Sequence, residues 1–416
     1  MLALYAVTLG LGALLLFVVQ PMFSKMVLPL LGGSPAVWNI AMVFFQAALL
    51  AGYLYAHLGR RWLRPKWQAI LHMLLLAVAF SALPIAIASD LAPPADGQPA
   101  DWLLGILSLS VGLPFFVLSA TAPMLQSWFA HTGHRDAANP YILYAVSNCG
   151  SILALVAYPA LLEPSLTLGR QSLAWALGFV ILALLIAACA WVMFLRFQAQ
   201  GADHRAAAEI GLSDRVDWRL RLRWLVLALV PASLLLGVTQ HITTDVASAP
   251  LLWVVPLILY LATFVIVFAR RPVISHALAS FIQVPVVLVL ALLFYWQIRH
   301  LRLVLPLHLI AFFFLALVCH GELAKVRPAP SRLTDFYLWV SLGGVLGGAF
   351  TALCAPLLFD TIVEYPLAIA AATLLRPARE HSRLTWFRSL PLILLLAMLG
   401  LPRLAGFDPN SFAPRF

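Results

Sequence analysis

The sequence predicts an all-α, polytopic membrane bundle built as two six-helix halves related by a parallel pseudo-repeat, with one further apolar segment behind them. Three observations carry that prediction: composition, a long series of apolar segments, and one hydrophilic stretch at mid-chain. Of 416 residues, 63% are hydrophobic and only 10% charged, whereas a soluble domain carries about 25% charged residues. Mean hydropathy is +0.97 over the whole length. A helix crossing the hydrocarbon core needs about 20 apolar residues, so the length admits roughly a dozen of them. These values exclude a disordered chain, a coiled coil, a secreted disulfide scaffold and a nucleic-acid module. Cys149, Cys189, Cys319 and Cys354 lie inside apolar runs without CxxC spacing. They read as small hydrophobic side chains rather than as disulfide partners or zinc ligands.

The first span is MLALYAVTLGLGALLLFVVQP, which lacks a basic leading region and a small-residue cleavage site and so reads as an uncleaved helix. Apolar segments follow at about 36–57, 67–89, 102–125, 140–162, 172–195, 224–241, 250–269, 275–297, 303–321, 336–358, 362–375 and 389–402. The resulting organisation is a first half over 1–196, a basic linker over 197–223, and a second half over 224–376. A basic loop and terminal apolar segment complete it over 377–416.

Charge orients the bundle. With residue 1 on the cytoplasmic side, 20 of the 26 basic residues fall in cytoplasmic loops, leaving Lys25, Arg170, Arg299, Arg302, Arg403 and Arg415 outside. Lys and Arg are retained preferentially on the cytoplasmic side, so the net charge of +10 is a topology signal rather than evidence for a polyanion partner. The expected location is a bacterial inner membrane.

The two halves repeat. Pro35-Ala-Val-Trp38 opens the second span and Pro250-Leu-Leu-Trp253 the eighth, 215 residues apart. Gln126 precedes Tyr141 as Glu322 precedes Tyr337, and Gly150 and Pro159 match Gly347 and Pro356. First helices that run the same way give a parallel repeat about the membrane normal, as in major-facilitator-type transporters.

Polar residues at bilayer depth are costly and mark pathways or partners. The densest run is Gln240-His241-Ile-Thr243-Thr244-Asp245. If it is the last turn of the seventh helix, His241 and Asp245 lie four apart on one face, where imidazole and carboxylate can exchange a proton or hold a cation. If it is a connection, Asp and Thr cap the next helix. The matching region holds Gln20, Pro21, Lys25 and Pro29, the prolines breaking or kinking the first helix and Lys25 pairing with Asp245 or snorkelling. The expected substrate-binding residues are His241, Asp245, Thr244, Gln240, Lys25, Gln20 and Asn39, at the junction of the halves. Glu322 is expected to pair with Lys325 at the surface, and His57, His72 and His308 to be singly packed histidines bonded to carbonyls. Asn148 is expected to bond between helices. Gly343/Gly347 and Gly344/Gly348 form two small-xxx-small faces for close helix packing.

No Walker lysine, HExxH, GxSxG or paired CxxC occurs, so neither cofactor nor metal is expected and no catalytic residue is assigned. Longer motifs carry a resemblance. QPMFSKMVLPLLGGSPAVWN, NPYILYAVSNCGSILALVAYP, GVTQHITTDVASAPLLWVVPL and CHGELAKVRPAPSRLTDFYLWVSLGGVLGG are similar to the membrane domain of bacterial fused major-facilitator/spermidine-synthase-like proteins. The similarity covers about residues 1–376 without the soluble synthase-like domain. It implies architecture and association rather than chemistry. Three functions follow as expectations: a transporter-like protein for a small, cationic solute; a non-transporting scaffold for a separately encoded synthase-like enzyme; and, more weakly, a membrane enzyme using His241/Asp245 or His320/Glu322 as acid and base. The expected partners are the lipid bilayer, a small solute and such an enzyme, and no nucleic acid.

Overall fold

The computed structural model describes residues 1–31, 35–87, 99–199, 217–245, 253–296, 301–359 and 363–376. Hydrocarbon offers backbone N–H and C=O groups no partner, so an apolar chain folds as helices that pair them internally. No strand occurs among the described residues. The first half supplies α1 (Leu2–Leu31), α2 (Pro35–Trp62) and α3 (Pro65–Ala79). Then come α4 (Pro99–Leu107, a π-helical turn Ser108–Gly112, then Leu113–Ala130) and α5 (Tyr141–Ala157, a π-helical turn Tyr158–Leu162, then Glu163–Ser165). Leu168–Ala199 is α6. The second supplies α7 (Trp218–Asp245), α8 (Val254–Phe268), α9 (His276–Tyr295) and α10 (Leu301–Lys325). It ends with α11 (Leu333–Ala349, a π-helical turn Phe350–Cys354, then Ala355–Leu358) and α12 (Glu364–Leu374).

Each of the first twelve apolar segments thus has its helix. The expected thirteenth, 389–402, lies outside the described residues, as do 200–216 of the linker. Among the described residues, ten helices are long and apolar enough to cross a bilayer, and α8 is shorter. The 11 residues of α12 reach only about 16 Å. The chain is a multi-pass membrane protein.

Two compact units divide it: Met1–Asp217 with Pro328–Ser341, and Trp218–Arg327 with Leu342–Phe416. The division falls inside α11, so the segment 328–341 groups with the first unit. In that unit α1 is the central helix, packed on α4, α5 and α6. Its carbonyls accept hydrogen bonds from its neighbours: Trp175 Nε1 donates to Leu15 O at 2.8 Å, while Tyr5 Oη donates outward to Cys189 O at 3.0 Å. Both pairs are buried, where a satisfied hydrogen bond replaces an orphaned group. Of the two effects expected of Pro21 and Pro29, breaking α1 does not occur, and the helix runs through both. Packing on three sides offsets the one hydrogen bond that each proline removes.

The second unit is arranged around α10, which contacts α7, α8 and α9, while α7 also packs on α11 and α12. Ser275 caps α9, its hydroxyl accepting from Leu278 N at 3.2 Å. Glycines set the closest approaches. A Cβ at Gly150 of α5 would strike the Gly10 carbonyl of α1, and one at Gly347 of α11 would strike the Leu229 carbonyl of α7 and lie 3.1 Å from Ser233 N. The same helix-on-helix contact therefore recurs in each unit at repeat-related glycines. Of the two expected faces on α11, Gly343 and Gly347 are used, but a Cβ at Gly344 would meet nothing within 4 Å. Ser233 and Thr351 complete this contact with hydroxyls 2.7 Å apart.

Gly347→Val is expected to lower the melting temperature of the detergent-purified protein by an amount equivalent to about 1–3 kcal/mol, the cost of overpacking. Gly344→Ala should leave it unchanged in the same thermal-shift measurement.

Candidate functional site: a histidine–tyrosine cluster

Continuation of α7 through Asp245 decides between the two readings of the polar run: it is the helix's last turn rather than a connection. His241 in that turn meets three aromatic rings of the second unit. Its centroid lies 4.5 Å from His308 of α10, 5.6 Å from Tyr365 of α12 in stacked geometry, and 5.7 Å from Phe294 of α9. His308 Nδ1 lies 3.0 Å from the Tyr365 hydroxyl, donating or accepting according to tautomer. His308 and Tyr365 are buried, and His241 is half-buried. Gly237, one turn before His241, makes room: a Cβ there would lie 3.2 Å from Cβ and Cδ2 of Tyr365. Four helices thus bring two imidazoles and a phenol together on an apolar wall.

His308 was expected to stand alone and bond a carbonyl. It instead sits beside a second imidazole and bonds a phenol, because α7 and α12 both pack on α10 at its Leu301 end. Sequence reasoning singled out His241 as a candidate but did not group it with His308 and Tyr365, whose positions depend on packing between helices remote in the chain.

The other expected site residues divide. Gln240 is half-buried. Thr244 and Asp245 belong to the backbone of α7 and Asn39 to that of α2, but their side chains lie outside the described residues. Gln20 is in the first unit, where its Nε2 donates to Leu16 O at 3.2 Å within α1. Lys25 has a partner that the sequence reading did not consider, while the Asp245 side chain lies outside the described residues. Lys25 pairs with Glu163 at the end of α5, because α1 and α5 pack side by side and bring these residues to one level.

At the opposite end of the second unit, Glu322 is not a surface residue: its side chain is only 6% exposed. It does meet Lys325 Nζ at 2.8 Å as expected, and also His276 Nε2 at 2.8 Å and Arg223 Nη2 at 3.2 Å. One carboxylate therefore ties the ends of α7, α9 and α10. With Arg223 beside Glu322 and His241 beside His308, α7 and α10 run antiparallel, and the charged hub and the ring cluster mark opposite ends.

In the first unit the start of α11 is held by polar contacts. Tyr337 Oη donates to Gln126 Oε1 at 2.7 Å, Arg60 Nη2 donates to Ser331 O at 3.3 Å, and Tyr141 Oη donates to Pro328 O at 2.8 Å. His57 Nδ1 lies 3.3 Å from Thr334 Oγ1 and His72 Nε2 3.5 Å from Thr121 Oγ1. These two histidines, like His320 beside Thr263 at 2.6 Å, lie within reach of a threonine hydroxyl. Asn148 bonds the Tyr144 carbonyl of its own helix at 2.8 Å, not a neighbouring one. No grouping of three metal-ligating side chains exists among the described residues.

Glu322→Gln is expected to destabilise the protein by about 1–3 kcal/mol by leaving buried partners poorly paired. Arg223→Gln, with a side chain 54% exposed, should cost less than about 1 kcal/mol; chemical denaturation of both variants in one detergent distinguishes the two.

No family profile and no curated protein matches the sequence. Solved structures do match the fold. A major facilitator superfamily proton:xylose symporter, XylE, bound to 6-bromo-6-deoxy-D-glucose, aligns at 12% identity over 89% of this chain and 94% of its own, with a TM-score of 0.53. The human organic anion transporter MFSD10 aligns at 14% identity over 95% of this chain and 99% of its own, with a TM-score of 0.52. The fold is that of major facilitator transporters.

Proposed function

We propose that this chain is a proton-coupled membrane transporter of a small polar solute, with the His241–His308–Tyr365 cluster as the proton-handling part of its site. The observation carrying this reading is the pair of imidazoles 4.5 Å apart with a phenol on one of them. Imidazole and phenol groups pass protons along hydrogen bonds, and a membrane helix bears the cost of holding them at depth chiefly where they serve a pathway. Asp245, four residues beyond His241 in the same helix, supplies a carboxylate suited to a cationic solute. The fold shared with the xylose symporter and the organic anion transporter supports a carrier. It leaves the solute open among sugars, anions and cations.

The proposed orientation has residue 1 in the cytoplasm of a bacterial cell, from the distribution of basic residues. Arg135→Cys, in a cysteine-free background, is then labelled by an impermeant maleimide only after the cells are permeabilised. Labelling in intact cells would reverse the topology.

Proteoliposomes loaded with a pH-sensitive dye test the transport reading against a panel of sugars, amino acids and polyamines. At least one solute is expected to drive proton movement. His308→Gln and Tyr365→Phe should each reduce it by about tenfold or less, the scale of one lost hydrogen bond. Asp245→Asn should abolish uptake of a cationic solute while the protein still purifies as a monodisperse species. Unchanged flux in all three variants would remove the site.

A second reading follows from the motif resemblance to fused major-facilitator/spermidine-synthase-like proteins. There the chain anchors a separately encoded synthase-like enzyme through its basic loops. A stoichiometric enzyme recovered with the protein from native membranes, together with absence of flux, favours it over the carrier.

A further inference from the structure

Within the first unit an apolar groove of about 330 Å³ runs between α3 and α6, lined by Ile70, Met73 and Leu74 on one side and Ala187, Trp191 and Phe194 on the other. Its position along the two helices is specific. Ile70 lies near the beginning of α3 and Phe194 near the end of α6, so the groove lies toward the end where these antiparallel helices carry their cations. Arg64 immediately precedes α3, Lys66 lies in its first turn and Arg196 is in the last turn of α6, all three exposed. None of them makes a side-chain hydrogen bond or ion pair among the described residues. Trp67 and Trp191 stand beside them, 58% and 65% exposed.

Exposed leucines elsewhere on the bundle, such as Leu177 and Leu184, need only fluid lipid tails as a neighbour. This place differs because a depression, a rim of tryptophans and three cations coincide. Tryptophan favours the headgroup level of a bilayer, and basic pockets between spanning helices recognise anionic headgroups.

We infer that this groove is a binding site for one anionic diacyl phospholipid. An acyl chain lies against Ile70, Leu74 and Ala187, and the headgroup phosphate is held by Arg64, Lys66 and Arg196. The inference depends on the chain spanning a membrane and not on what it transports.

The test uses the full-length protein, delipidated in detergent and supplied with equimolar dioleoylphosphatidylglycerol and dioleoylphosphatidylcholine, with retained lipid counted by native mass spectrometry. The wild type is expected to retain one phosphatidylglycerol in preference. Replacing Arg64, Lys66 and Arg196 by Gln should weaken that retention by about fivefold per cation removed. Ala187→Trp, which fills the groove and keeps the cations, should lower phosphatidylglycerol retention as well. Melting temperatures in lipid-free detergent verify that the variants are folded, and Ala187→Leu replaces the tryptophan variant if it is not. Equal retention of the two lipids by the wild type overturns the site. Full retention by the charge-neutralised protein does the same, as does full retention by the groove-filled one.

Discussion

A polar backbone in a medium that cannot hydrogen-bond is the constraint from which the rest of this structure follows. It forces helices, and it also decides how polar side chains behave once the helices are packed. Serine and threonine hydroxyls return to the carbonyl one turn back, as at Thr8, Ser24, Ser108 and Thr121. The longer polar groups cross to neighbouring helices, as Trp175, Tyr5 and Tyr337 do. Each such bond fixes the rotation of one helix about its axis, a quantity that burial of apolar surface leaves poorly determined when lipid is as apolar as leucine.

Close approach supplies the attraction that water would otherwise provide. With no hydrophobic drive between spans, van der Waals contact must hold them, and contact improves where a missing side chain lets backbones meet. Gly150 of α5 against α1, and Gly343 with Gly347 of α11 against α7, are such places, and Gly150 and Gly347 occupy repeat-related positions in the two units. That recurrence is a physical form of the repeat. The match in sequence is weak, whereas the match in what the glycines touch is direct.

The helices were legible because hydropathy reports them one at a time. All twelve segments from residue 1 to 375 have a helical counterpart, with ends that differ by several residues. The continuity of α7 through Asp245 and of α1 through two prolines was harder to read, since both depend on support from neighbours. The site was legible only in part. His241 stood out through its polar neighbours in sequence, but His308 is surrounded by leucines in the chain and becomes informative only when α7 and α12 deliver a second ring and a hydroxyl to it. Lys25 shows the same limit in another way. Its partner Glu163 lies 138 residues away, and nothing local in either segment distinguishes that carboxylate from any other at the same level. Glu322 was assigned one partner, Lys325, from helical spacing and has three, because Arg223 and His276 arrive from α7 and α9.

The π-helical turns in α4, α5 and α11 have a geometric meaning of their own. Such a turn accommodates one more residue than an α-helix would, which amounts to an insertion tolerated inside a rod. In α4 and α11 it starts six residues ahead of a proline, Pro114 and Pro356, in the stretch where the proline's ring would press on the preceding turn. Everything beyond the extra residue is rotated by about 100° relative to an uninterrupted helix. Each of these rods therefore displays two independent azimuths, one on either side of the wide turn, and residues spaced four apart across it do not share a stripe.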